Sequence, residues 1–222
     1  MTAEDRIEHA RLLYERAVFD GDDDGAVLGT ADRELDGVEA DLALARGRIM
    51  HTRFLGHRDD DPERAAADPR ELSLFERAAE LYHDCADERG EAEALFWVGC
   101  FHQVVRRDDL TAVPILERSR QLADAAGDKR TVSEALRHLG IAEHRAGRLG
   151  SARERLEESS RLRREIGQLP GVAANLVGLA YIAAADGRRD EARALLAEAA
   201  AIAQSTGAHR ITRQVDEARA HL

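Results

Sequence analysis

Lysine is nearly missing from this chain. Lys129 is the only one, and arginine carries the rest of the basic side-chain charge. The balance is nonetheless acidic, with a formal net charge of −11 over 222 residues. A net acidic surface repels phosphate backbones, so nucleic acid is not an expected partner. Cysteine is scarce as well: Cys85 and Cys100 are the only two. Two thiols in a chain of this length argue against a disulfide-built scaffold and for a reducing compartment. No run approaches 18 apolar residues, which excludes a transmembrane helix. The N-terminal stretch MTAEDRIEHA has charges where a secretory signal has its apolar core. Together these absences predict a cytoplasmic protein with no membrane partner. Valine, isoleucine and threonine are too few for a large sheet, whereas alanine, leucine, glutamate and arginine dominate and favour helix. The expected fold class is all-α, in a chain long enough to bury a sizeable core.

The motifs that announce chemistry are also lacking. There is no HExxH, CxxC, GxSxG or glycine-rich phosphate loop. His138 and His144 are six apart, about 240° around a helix, and do not share a face. Cys100 and His102 are two apart and point in different directions. No cofactor and no structural zinc are expected. An enzyme would need distant groups to converge, for instance His144 with His102 or His51. One stretch invites calcium: Asp20, Asp22 and Asp24 stand at loop positions 1, 3 and 5 of an EF-hand, and Gly25 at its glycine. Position 12 is Ala31, where that loop needs a bidentate carboxylate. The stretch therefore reads as a solvated loop or at most a weak calcium site.

What is present is a repeat. Gly147 and Gly187, Ala152 and Ala192, Leu156 and Leu196, Leu162 and Ile202, and Gly167 and Gly207 form pairs that all share one offset, forty positions. Ala112, Leu116, Leu122 and Gly127 supply an earlier copy. A fixed period of this length marks a stacked array of helix pairs. The pattern predicts first helices over about 90–106, 130–146 and 170–186, and second helices over about 109–126, 149–166 and 189–206. The earliest copy has one extra residue, because Val98 to Leu116 is 18 where Leu139 to Leu156 is 17. Before these come a helix over 3–19, an acidic loop completing residues 1–30, and a degenerate repeat over 31–89. That repeat has helices at about 31–54 and 71–87 and an insertion at 55–70. A charged helix over 208–222 would cap the array. The whole reads as a single domain.

The Leu139-Gly140 pair, Gly147 and Ala152, echoed by Leu179, Ala180, Gly187 and Ala192, resemble the tetratricopeptide repeat family. The likeness covers about 90–207 well and 31–87 poorly. The family's usual period is about 34, so these helices are longer, as in long-helix variants of bacterial regulators and peptide sensors. The resemblance implies an α-solenoid, a right-handed superhelix of antiparallel helix pairs whose first helices line a concave groove for peptides or proteins. Carried over by position, that groove takes Phe96 from one repeat, with Trp97 one residue off the row. It takes Arg137, Ile141, His144 and Arg145 from the next, and Val177 and Tyr181 from the last. Phe96, Ile141, Val177 and Tyr181 offer an apolar floor, and Arg137 and Arg145 suit a carboxylate. The expected function is a non-catalytic scaffold for an acid-bearing protein or peptide tail. The alternatives are a small-molecule or peptide sensor with an enclosed pocket and, behind it, an enzyme using the groove. A homodimer through an array end is a further expectation.

Overall fold

The computed structural model describes residues 2–21, 24–60 and 66–221. Among these there are ten α-helices, one π-helical turn and no strands. The chain forms two compact units, residues 1–101 and 102–222.

The first unit holds α1 (Ala3–Glu15), a π turn (Arg16–Asp20), α2 (Gly25–Asp60), α3 (Arg70–Asp84) and most of α4 (Glu88–Val104). Thr2 starts α1 with a capping box: the Asp5 amide donates to Thr2 Oγ1 at 3.1 Å, and the Thr2 amide donates to Asp5 Oδ2 at 2.7 Å. Two otherwise orphaned N–H groups are thereby satisfied. The α1 helix packs on α2, and α2 on α3. Gly47 of α2 is a packing requirement, since a Cβ there would overlap the ring of Phe75 on α3. Phe75 is completely buried.

The α2 helix is longer than the 31–54 that the sequence suggests. It begins at Gly25 because Asp24 caps it, accepting from the Ala26 amide at 2.9 Å. It runs to Asp60, through part of the stretch that reads as an insertion. The polar residues after Phe54 end the apolar face, but a helix needs only unbroken backbone bonds, and no proline occurs before Pro62. At the other end, α1 gives way after Glu15 to the π turn, closed by Gly21 at φ 70°.

The second unit holds α5 (Asp109–Ala125), α6 (Lys129–Arg145), α7 (Leu149–Glu165), α8 (Leu169–Ala185), α9 (Arg189–Thr206) and α10 (His209–His221). Each packs on the next, and α10 also reaches α8. Leu156, Val172, Leu176, Ile182, Leu196 and Val215 are buried in one cluster, each worth roughly 1.5–3 kcal/mol by its removal from water. Gly140 marks a close approach of α6 and α7: a Cβ there would meet Leu156 Cγ at 3.1 Å and the Ala152 carbonyl oxygen at 3.3 Å.

The joints share one device. Gly127, Gly147, Gly167, Gly187 and Gly207 end successive helices at φ between 67° and 76°. The following amide bonds back five residues, as Arg148 N–H does to the Glu143 carbonyl at 2.9 Å. The extra residue of the earliest copy shows itself here. Asp108 N–H reaches back six residues, to the His102 carbonyl, and the left-handed position falls on Arg107 at φ 54°. A side chain in that conformation costs about 1 kcal/mol or more. Arg107→Gly should therefore raise stability by about 1 kcal/mol, seen as a higher urea midpoint at unchanged slope.

Candidate binding site

In the first unit, α4 carries Phe96, Trp97 and Cys100. Phe96 is buried and Trp97 half-buried. The Trp97 ring stacks on Phe75 at 5.5 Å between centroids, meets Phe96 edge-on at 5.2 Å, and lies under the Arg48 guanidinium at 5.6 Å. Its fourth neighbour is His51, also edge-on at 5.5 Å. His51 Nδ1 lies 2.7 Å from Glu71 Oε1, and His51 Nε2 lies 3.8 Å from Cys100 Sγ. Thiol, imidazole and carboxylate thus stand in the order of a nucleophile, a base and the group that orients it. All three are buried, Glu71 completely, which shields the thiol from dissolved reactants. The Glu71 Oε2 oxygen has no hydrogen-bond partner. No spacing rule connects residues 51, 71 and 100, so this chain of contacts was invisible in the sequence.

In the second unit, α6 carries Arg137, Ile141, His144 and Arg145, and α8 carries Val177 and Tyr181. Val177 is buried; Ile141, His144 and Tyr181 are half-buried. The two arginines differ. Arg145 already has a carboxylate, since its Nη1 donates to Asp109 Oδ1 at 3.1 Å. Asp109 also accepts from the Gln103 amide at 3.0 Å, and the same amide donates to the His138 carbonyl at 3.0 Å. Those two acceptors fix which way the Gln103 amide points. Its Oε1, 2.6 Å from His138 Nδ1, then requires the proton on Nδ1.

Arg137 has no such partner. Its Nη1 donates to the neutral Oδ1 of Asn175 at 2.9 Å, and among the described residues no carboxylate lies within ion-pair distance. The nearby Glu134 carboxylate is bonded to the buried Arg163. One carboxylate therefore stands near two guanidiniums and is bonded to only one of them. Burial, and then the Arg163 charge, lower the Arg137 pKa to about 10 against the weaker pull of Glu134. Asn175 is itself completely buried. Its amide donates to Ser159 Oγ at 2.9 Å and Ser160 Oγ at 3.2 Å. Those hydroxyls in turn donate to the Ser133 and Leu156 carbonyls. This polar row ties α6, α7 and α8 together.

Asp24 commits its carboxylate to the α2 cap, and Asp22 lies outside the described residues. Among the described residues, no group of three or more histidine, cysteine or acidic side chains is placed to hold a metal ion. No helix among them is long and apolar enough to cross a membrane.

Neither a family model nor a curated protein matches the chain. Solved structures do. BtubC (BKLC) from P. vanneervenii superposes with a TM-score of 0.51 at 16% identity, over 93% of this chain and 93% of that one. A putative kinesin light chain from Podosopora anserina, described as having nearly identical TPR-like repeats, gives 0.51 at 17% identity, over 80% of this chain and 97% of that one. A point variant of that protein gives 0.51 at 16%, over 80% and 94%. At such identities the likeness is one of fold: the chain has a TPR-like α-solenoid fold.

Proposed function

We propose that this chain is a non-catalytic binding scaffold that takes an acid-bearing, partly apolar peptide segment of a protein partner on the face shared by α6 and α8. The observation that carries the reading is Arg137. Arg137 is half-buried, and taking a charge partly out of water without a counter-charge is unfavourable, in keeping with its lowered pKa. A carboxylate arriving from a partner relieves it, while Ile141 and Tyr181 supply apolar contact on the same face. A TPR-like fold, commonly used for protein–protein interaction, supports the class of partner.

The test is fluorescence anisotropy with a labelled, extended peptide of alternating glutamate and leucine. Its glutamine–leucine counterpart serves as control. Arg137→Gln should weaken the acidic peptide tenfold or more, the scale of a hydrogen bond to a charged group. Tyr181→Ala should weaken both peptides. Arg145→Gln should matter little, because that side chain is paired within the protein and half-exposed. Equal affinity of wild type and Arg137→Gln for the acidic peptide would remove this reading.

A further inference from the structure

The N-terminal helix has two faces, and only one is used. Leu13 is buried against the rest of the first unit. On the other side stand Ile7, Leu12, Tyr14, Val18 and Phe19, between 43% and 79% exposed, with Phe19 the most exposed of them. Ile7 and Tyr14 are seven apart, as are Leu12 and Phe19, so each pair sits on one side of the helix two turns apart. The π turn continues this surface by presenting Val18 and Phe19 beyond the last α-helical residue. Five exposed apolar side chains on one short helical segment, in two rows with charged residues between them, mark a place where something docks. The end of a helical array requires a polar outer face unless another element covers it.

Charge decides what covers it. The stretch 1–24 holds eight carboxylates against three arginines, close to half of the chain's net charge of −11. Glu4, Glu8 and Glu15 lie between the apolar side chains, and Arg11 is bonded to both Glu8 and Glu15. Beside them Glu4, Asp5, Glu8, Ile7 and Leu12 line a shallow hollow of about 850 Å³. A second copy would set one acidic face on another, and an anionic lipid surface would be repelled. A helix with a row of lysine or arginine bordered by apolar residues meets both features at once.

We propose that the outer face of α1 and its π turn is a docking surface for a basic amphipathic helix of a partner protein. It lies in the other compact unit from Arg137 and stands independently of the peptide reading above. The capping box at Thr2 holds the platform in helical form before the partner arrives, which lowers the ordering cost of binding.

The test uses the full chain and a labelled lysine–leucine amphipathic peptide roughly five turns long, with a scrambled, non-amphipathic peptide of the same composition as control. Wild type should bind the amphipathic peptide at least tenfold more tightly than the scrambled one. Tyr14→Ser with Phe19→Ser, and separately Glu4→Lys with Glu8→Lys, should each lose tenfold or more. Glu154→Lys with Glu157→Lys, an equal charge change on exposed positions of α7, should lose less than threefold, and Arg137→Gln should change nothing. Equal loss in the α7 variant, or equal binding of the scrambled peptide, would reduce the effect to unspecific attraction and overturn the proposal. So would a dimer seen in sedimentation that Phe19→Ser dissolves, or binding to neutral phosphatidylcholine vesicles that the same change abolishes.

Discussion

His51→Ala should cost about 3–5 kcal/mol of stability, the scale for removing one partner of a buried ionisable pair. Glu71 has no exposed surface, and its Oε2 already lacks a partner. His51 is the contact of Oε1, at 2.7 Å. Without the imidazole the whole carboxyl group sits in the core uncompensated, and Trp97 loses the ring against its edge. Trp97 is the only tryptophan, so its fluorescence during urea unfolding reads this unit directly. A double change, His51→Leu with Glu71→Met, replaces the pair by apolar volume and should recover most of the loss. If His51→Ala unfolds at the wild-type midpoint, the pair has no structural role. If the double variant is as unstable as the single one, the cost is one of packing and not of stranded charge.

In the second unit the corresponding position is Asn175. Replacing it by leucine keeps the branched shape in a somewhat larger side chain but removes the acceptor for Arg137 and the donor for Ser159 and Ser160. An orphaned buried group costs about 1–3 kcal/mol, more when charged, so Asn175→Leu should lose about 3 kcal/mol. Circular dichroism follows this loss through the helical signal of the chain. Asn175→Asp separates stability from binding. It sets a carboxylate beside the Arg137 guanidinium and satisfies that charge from within. A chain that stays folded and no longer prefers the acidic peptide over its glutamine counterpart is the expected result. Retained preference in the folded Asn175→Asp protein would detach peptide recognition from Arg137.

The array was legible because helix pairs repeat their demands. The small residue at Gly140, the leucines of α7 and α9 and the turn glycines recur at a constant offset, and a recurring demand leaves a period in the sequence. Even the irregularity was visible: the additional residue before Leu116 becomes the longer return bond of Asp108 and the left-handed Arg107. The ends of α2 were less legible. Its start depends on one side chain, Asp24, turning back on its own backbone, and its last residues have no apolar face to betray them. The polar clusters left least trace. Glu71 is charged and lies next to a stretch that reads as a loop, yet it is wholly buried. Asn175, in a run of alanine, valine and leucine, has no repeat equivalent of its own type: one period earlier stands Ala135. A residue whose role depends on partners from two other helices has no local signature.

The glycine joints have a consequence for how such a chain changes length over generations. From Gly127 onward the joints are evenly spaced, through Gly147, Gly167 and Gly187 to Gly207. The helices between them nearly match, since α6, α7 and α8 are each 17 residues long and α9 is 18. Two joints make a pair, so copying or deleting the codons of one whole pair between equivalent points restores every cap, every left-handed glycine and every facing pair of helices. An event of half that length would reverse the direction of all that follows, and one codon more or fewer would move a side chain into the left-handed position. Arg107 shows what one residue more does to a joint: a side chain stands in the left-handed position. Growth and loss by whole pairs is the least disruptive route that this spacing permits.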